Sequence, residues 1–254
     1  MTTFNAAGYE QSGRRMIDTW AKHWPADVSL MVYTEGCRID APDDRVSQRQ
    51  LERSLWLSEF KERHANAPRA HGRGHGRGGY DFKFDAVKFA HKVAAYTEEA
   101  MARPADVLIW MDADTITHAK VTTDWLTSLW TPGAYIAWLN RTRQYPECGF
   151  FMLNCRHRRH ERIILDVVAL YTTDAIFDLP EWHDSFVLQQ VIEGWRNTGE
   201  MTVGSLSGDA ASTGHPFVNG PLGSRMDHLK GPRKAEGRSR MDDLRNPRSE
   251  AYWR

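Results

Sequence analysis

The chain is short of several things, and each shortage excludes something. Its three cysteines (Cys37, Cys148, Cys155) show no Cys-x-x-Cys spacing, which argues against a disulfide framework or a cysteine-built zinc site. It has no net charge, since Lys plus Arg and Asp plus Glu both number 33 in 254 residues. Bulk charge therefore points to no polyanionic partner. No apolar run approaches the roughly 18 residues needed to cross a bilayer, and the start of the chain has no signal-peptide pattern. A soluble cytoplasmic protein without a membrane span is expected. Gly74, Gly76 and Gly79 fit G-x-G-x-x-G, but no strand precedes them, so a dinucleotide fingerprint is rejected.

What is present centres on residues 107–118, Val-Leu-Ile-Trp-Met-Asp-Ala-Asp-Thr-Ile-Thr-His. A short run of strand-formers ends on Asp112 and Asp114. In open α/β sheets, charged ligands bind at the C-terminal ends of buried strands. Two carboxylates there are hard oxygen ligands, suited to Mn²⁺ or Mg²⁺ and, through the metal, to a phosphate. Alone, Asp-x-Asp is a weak signal, and a solvated turn with a helix cap is the plain alternative. A second motif adds weight. At 226–234, Met-Asp-His-Leu-Lys-Gly-Pro-Arg-Lys places His228, Gly231 and Lys234 as His-x-x-Gly-x-x-Lys. An imidazole can complete a metal shell begun by carboxylates. Glycine lets backbone approach a phosphate, and lysine brings it a point charge. The plain alternative is a basic, solvated tail.

Around these motifs, strand and helix patterns alternate, which argues a layered, mostly parallel sheet. Residues 1–5 read as the end of a first strand and 28–34 as a buried one. A helix is expected over 12–24 with Ser12 as its cap, and 38–60 reads as polar chain and then one helix. Another helix, over 84–101, carries Lys88 and Lys92 at i, i+4. Strands are expected at 106–111, 134–139 and 149–153, and helices at 124–130, 162–171 and 185–195. Beyond residue 200 there is little periodicity. Residues 68–79, rich in Gly, Arg and His, read as a flexible basic loop. Core packing is the expectation for most of the ten tryptophans.

The order of strand plus Asp-x-Asp, then Gly-Phe-Phe-Met-Leu-Asn, then a late His-x-x-Gly-x-x-Lys resembles the GT-A nucleotide-sugar glycosyltransferases, family 8-like enzymes in particular. The resemblance runs from Thr3 to about Lys234. After Lys234, Ala-Glu stands where family 8 has Pro-Trp. It implies a single α/β domain over 1–254, with a mostly parallel Rossmann-like sheet flanked by helices and an irregular C-terminal segment closing over the site. Residues 1–120 would form the nucleotide-binding half, 121–200 the acceptor half and 201–254 the closing segment. Asp112, Asp114 and His228 would hold Mn²⁺ (or Mg²⁺) against the diphosphate of a nucleoside-diphosphate sugar, UDP-linked first among candidates. Lys234 and Gly231 would meet that diphosphate.

Other positions carry less. Asp184 either serves as general base or binds sugar hydroxyls, or else caps the helix that follows it. Glu147, Gly149 and Trp182 fall where family members touch sugar or acceptor. Thr3, Asn5 and Glu35 end the first two strands, where the base and ribose would sit. Lys88 and Lys92 either reach the phosphates or are solvated helix-face lysines. Arg69, Arg73, Arg77 and Arg233 would make a positive collar suited to DNA, and a hydroxylated base in phage-like DNA is then a concrete acceptor. If the chain is phage-encoded, its place is the host cytoplasm. A saccharide or other small acceptor is the alternative within this class. Outside it stand a sugar-phosphate nucleotidyltransferase, whose glycine-rich loop residues 3–13 lack, and a non-catalytic nucleic-acid-binding module.

Overall fold

A computed structural model describes residues 1–41, 43–75 and 79–254. β1 (Thr2–Asn5) hands directly to a helical run whose regular part is α1 (Arg14–His23). The run starts earlier than the sequence suggests. Asn5 caps it by accepting the Gly8 N–H at 2.8 Å, and a wide turn at Tyr9–Gly13 leads into α1. Ser12 therefore lies inside the helical run and is not its cap.

β2 (Leu30–Glu35) pairs parallel to β1, and β3 (Val46–Gln50) pairs parallel to β2. β3 corrects the reading of 38–60 as loop and helix. It is an edge strand of mostly polar residues, Val-Ser-Gln-Arg-Gln, and only Val46 is buried. There follow α2 (Leu55–His64), α3 (Ala86–Ala102), β4 (Val107–Met111), β5 (Thr115–Thr117) and α4 (Thr123–Ser128). β6 (Ala134–Arg141) and the long β7 (Gln144–Asn154) form a hairpin. α5 (His160–Thr172), α6 (Asp184–Asn197), β8 (Thr202–Ser205) and β9 (Met226–His228) complete the chain's principal elements.

The ladders run β1-β2-β3 and β4-β7-β6-β8. Met1 joins them: its nitrogen donates to the Ile109 carbonyl and its carbonyl accepts from Met111 N–H. The N-terminal part of the sheet is parallel, while β7 runs antiparallel to both neighbours. The strands' two-residue period sorts side chains to opposite faces. Leu108, Trp110, Phe151 and Leu153 face one apolar layer, under α2, α3, α5 and α6. Met111, Phe150 and Met152 face the other, with α1, α4 and the C-terminal segment. The result is a mixed α/β domain with helices on both sides of the sheet. Trp20, Trp110 and Trp253 are fully buried, as expected of core tryptophans.

The segment after residue 200 is not a loose tail. β8 adds to β6, and β9 pairs antiparallel with β5 in the register Thr115↔His228. Among the described residues, no helix is long and apolar enough to cross a membrane.

Candidate metal centre and active-site cleft

β4 ends and the chain turns at once, with Thr115 N–H donating to the Asp112 carbonyl at 3.0 Å. That turn presents Asp112 and Asp114 at the strand's C-terminal end. The short β5–β9 ladder then sets His228 opposite them. Nε2 of His228 lies 3.0 Å from Asp114 Oδ1 and 3.7 Å from Asp112 Oδ2. One ligand atom from each of the three residues falls within 4.8 Å of the others. Lys234 Nζ is 2.9 Å from Asp114 Oδ2. Two motifs far apart in the sequence thus meet at one point.

The donor set fits a divalent cation. Two carboxylates supply hard oxygen ligands and the imidazole a nitrogen, a set that divalent metal ions accept. Carboxylates approach the imidazole from two sides, Asp114 at Nε2 and Glu147 at Nδ1. Buried Glu147 approaches His228 Nδ1 from behind, Oε1 at 3.1 Å, and its other oxygen is 2.6 Å from Lys230 Nζ. Burial opposes charge on His228, but Asp114 and Glu147 outweigh it and raise its pKa to about 9. Burial likewise opposes ionisation of Asp114 and Glu147. His228 with Lys234 in one case, and His228 with Lys230 in the other, hold them well below the usual carboxylate range. Competition of a cation for Nε2 and the facing oxygens would release the imidazole proton.

Gly149 has a steric task. A Cβ there would lie 2.5 Å from His228 Cε1 and 2.7 Å from Nδ1. The imidazole packs closely against Gly149, and only glycine leaves room for it. Gly231 adopts φ +56°, a conformation L side chains rarely take, as the chain turns from β9 toward Lys234.

Lys92 is the largest surprise among the predicted residues. Its side chain is only 12 % exposed, and Nζ sits 2.8 Å from Asp112 Oδ1 and 2.7 Å from Asp184 Oδ2. It also donates to the Cys148 carbonyl at 2.6 Å. Burial alone would lower its pKa, but Asp112 and Asp184 reverse this and raise it well above the lysine range. Lys92 is therefore no solvated helix-face lysine. Lys88, one turn earlier, is exposed, and its ammonium donates to the Tyr80 hydroxyl at 3.2 Å.

Asp184 does not cap α6. His183 does, accepting the Phe186 N–H on Nδ1 while Nε2 meets Glu181 at 2.9 Å. Asp184, the first residue of α6, is buried against Lys92.

These groups line a cleft of about 930 Å³ that runs from the Asp112–Asp114–His228 cluster to the ends of β1 and β2. Thr3, Asn5, Glu35, Lys88, Lys92, Glu147, Gly149, Asp184 and Lys234 all border it. Thr3 donates its hydroxyl to the Tyr33 carbonyl, Asn5 caps the first helical turn, and Glu35 pairs with His91 at 3.1 Å.

Other candidates lie elsewhere. Trp182 is buried against Phe84 and Phe177, with its indole N–H on the Leu179 carbonyl, and does not border the cleft. Arg233 forms an ion pair with Asp243. Arg69 and Arg73 are exposed. Within the expected flexible loop, Pro68–His71 forms a tight turn, and Arg73 bridges to Tyr80. Arg77 lies outside the described residues.

Sequence reasoning missed several contributors. Trp110 donates its indole N–H to Asp112 Oδ1 at 2.7 Å. Strand alternation could have shown it pointing to the same face as the helix that bears Lys92. Lys230 reads from sequence only as one more charge of a basic tail, yet its ammonium meets buried Glu147. Asp227 is fully buried and accepts from Ser239 N–H at 2.7 Å, Ser239 hydroxyl at 2.6 Å and Tyr252 hydroxyl at 2.8 Å. It fastens β9 to the chain's last residues, and no local pattern marks it.

No protein-family model matches the chain. No curated protein matches it either. Among solved structures it is similar to mouse xyloside xylosyltransferase 1 in its apo form, at 12 % identity and a TM-score of 0.46, over 80 % of this chain and 83 % of that one. At that distance, any assignment of activity has to come from the side chains in the cleft.

Proposed function

We propose that this chain is a metal-dependent glycosyltransferase of the GT-A type, family 8-like in its motifs. It would move a sugar from a nucleoside-diphosphate sugar to an acceptor hydroxyl. The observation that carries the reading is the meeting of Asp112, Asp114 and His228, with Lys234 on Asp114, at the end of a sheet strand.

The hard step is departure of a diphosphate. Mn²⁺ (or Mg²⁺) on Asp112, Asp114 and His228 would supply neutralisation of the leaving charge. The chain's own residues do the rest. Lys234, at the same carboxylate, brings a second positive charge to the diphosphate. Lys92 holds Asp112 and Asp184 in fixed relation, and leaves one Asp184 oxygen for the acceptor's proton or the donor's sugar hydroxyls. Thr3, Asn5 and Glu35 border the part of the cleft that would receive base and ribose, with exposed Lys88 at its lip. Residues 1–120 would then be the donor half, 121–200 the acceptor half, and 201–254 the closing segment.

A DNA acceptor is a second reading, favoured by one observation. Arg69 and Arg73 are exposed on the same loop region as Tyr80 and Phe82, which are 55 % and 45 % exposed. Aromatic faces and cations together suit an unstacked base and its backbone.

Melting curves with a panel of nucleotide sugars, with and without Mn²⁺, test the first reading. A UDP-sugar is expected to raise the Tm only with metal, because binding to the native state stabilises by mass action. Asp114→Ala should abolish that rise, and a rise it leaves intact would sink the donor assignment. Release of UDP supports transfer, whereas pyrophosphate would point to a nucleotidyltransferase. Neutralising Arg69 and Arg73 should weaken a salt-sensitive shift of duplex DNA. If the unaltered chain shifts no DNA at low salt, the second reading ends.

A further inference from the structure

Glu147 stands in β7 where the sequence resemblance would put a sugar contact, yet both its oxygens are engaged elsewhere. Oε1 is 3.1 Å from His228 Nδ1, and Oε2 is 2.6 Å from Lys230 Nζ. The side chain is 5 % exposed, and a carboxylate buried to that degree needs paired charge to persist. Both partners come from one short stretch, His228-Leu229-Lys230, so a single buried group grips β9 and the turn after it.

The consequence for His228 follows from donor and acceptor chemistry. An ionised carboxylate only accepts, so Nδ1 must carry the hydrogen between them. Nε2 then faces Asp114 at 3.0 Å and Asp112 at 3.7 Å. A flip of the ring would put Cδ2 where Nδ1 stands and Cε1 where Nε2 stands, losing both Glu147 and Asp114. The ring also cannot tilt far, because the Gly149 backbone lies beneath it and the Phe217 ring is centred 5.3 Å away.

We propose that Glu147 is the positioning residue for the metal-ligating histidine: it fixes His228 as an Nε2 ligand with Nδ1–H, and Lys230 balances its charge. Glu147 is then no sugar contact. The inference rests on the metal centre proposed above. Carboxylate–histidine–metal relays orient the ring and raise its basicity, and loss of the outer partner commonly weakens metal binding about 10- to 100-fold.

Mn²⁺ titration of the full chain, followed by electron paramagnetic resonance, tests it. Glu147→Gln keeps an acceptor but loses the charge, so it should bind Mn²⁺ about 10-fold more weakly. Glu147→Ala should be weaker still, with the metal-free Glu147→Gln chain melting within a few degrees of the unaltered one. Affinity of Glu147→Gln within twofold of the unaltered chain overturns the positioning role while leaving the metal centre standing. Failure of the unaltered chain to take up Mn²⁺ or Mg²⁺ overturns both. Should the variants not fold, histidine ¹⁵N spectra of the unaltered chain loaded with ¹¹³Cd²⁺ decide. Coupling to Nε2 with a proton on Nδ1 supports the proposal, and coupling to Nδ1 overturns it.

Discussion

The floor and the roof of the cleft are held by different kinds of force. The floor is β4 with β7, carrying Asp112, Glu147 and Gly149. Its side chains alternate between two apolar layers, with Trp110 and Phe151 in one and Met111 and Phe150 in the other. The roof is the segment that delivers His228 and Lys234, and polar clamps fasten much of it. Asp227 collects three donors, Arg248 reaches the Val218 and Gly220 carbonyls at 3.0 and 3.2 Å, and Arg233 pairs with Asp243. Apolar burial is non-directional and tolerant, whereas a buried polar clamp fails when one partner is lost. The floor should therefore fail with the whole domain, and the roof by itself.

Phe151→Ala attacks the floor and should have the largest effect. The ring is fully buried, and such truncations typically remove about 3–5 kcal/mol. Urea unfolding should show one cooperative transition with a lowered midpoint. A change below about 1 kcal/mol would contradict the packing described. Asp227→Asn should cost about 3 kcal/mol, since hydrogen bonds to a charged group contribute roughly 1.5–3 kcal/mol each and an amide keeps some of them. Here the expected signature is local: hydrogen exchange quickens at β9 and 239–253 while β4 and β7 stay protected. Equal loss of protection in floor and roof would erase the distinction.

Acid should also open the roof first. His215 donates from Nε2 to the His228 carbonyl, and burial, with Lys230 adding to it, lowers its pKa to about 4. A histidine lowered in the folded state is neutral there but takes up a proton near pH 6.5 when released. Its contribution is therefore complete above pH 6.5 and is lost as pH falls toward 4. The loss for this one group is about 2–3 kcal/mol. His118, lowered to about 4 by burial, adds in the same direction. Tm measured from pH 7 to 4 should fall, and His215→Gln should flatten part of that slope. An unchanged slope would show that His215 is not responsible. The smallest effect belongs to Lys88→Ala, expected within about 0.5 kcal/mol of the unaltered chain because the side chain is exposed. A larger loss on thermal melting would mean that its bond to Tyr80 carries structural weight.

The same contrast explains what could be read from the sequence. The floor was legible. Val-Leu-Ile-Trp-Met followed by two aspartates announces a buried strand with acidic ends, and Gly-Phe-Phe-Met-Leu announces its neighbour. β3 was not, because an edge strand with one buried side chain carries no alternating apolar signal. β9 was invisible as a strand, since three residues have no period and Thr115–Thr117 across the ladder supplies the pairing. His228 and Lys234 were found through their motif, but Lys230 and Asp227, interleaved with them, were not. Lys92 was misjudged because its two carboxylates come from other elements. Helix spacing reports a face of α3 and nothing of what packs on it. Asp184 was mistaken for a possible cap because His183, a less common capping residue, took that task.

Lys92 also bears on how variants of this protein will combine. One ammonium serves as counterion to both Asp112 and Asp184, so the two aspartates are not independent positions. Replacing either frees the ammonium to settle wholly on the other. In a double-mutant cycle, Asp112→Asn and Asp184→Asn should depart from additivity by about 0.5–3 kcal/mol. Effects of single substitutions at Asp112 and Asp184 therefore cannot simply be summed.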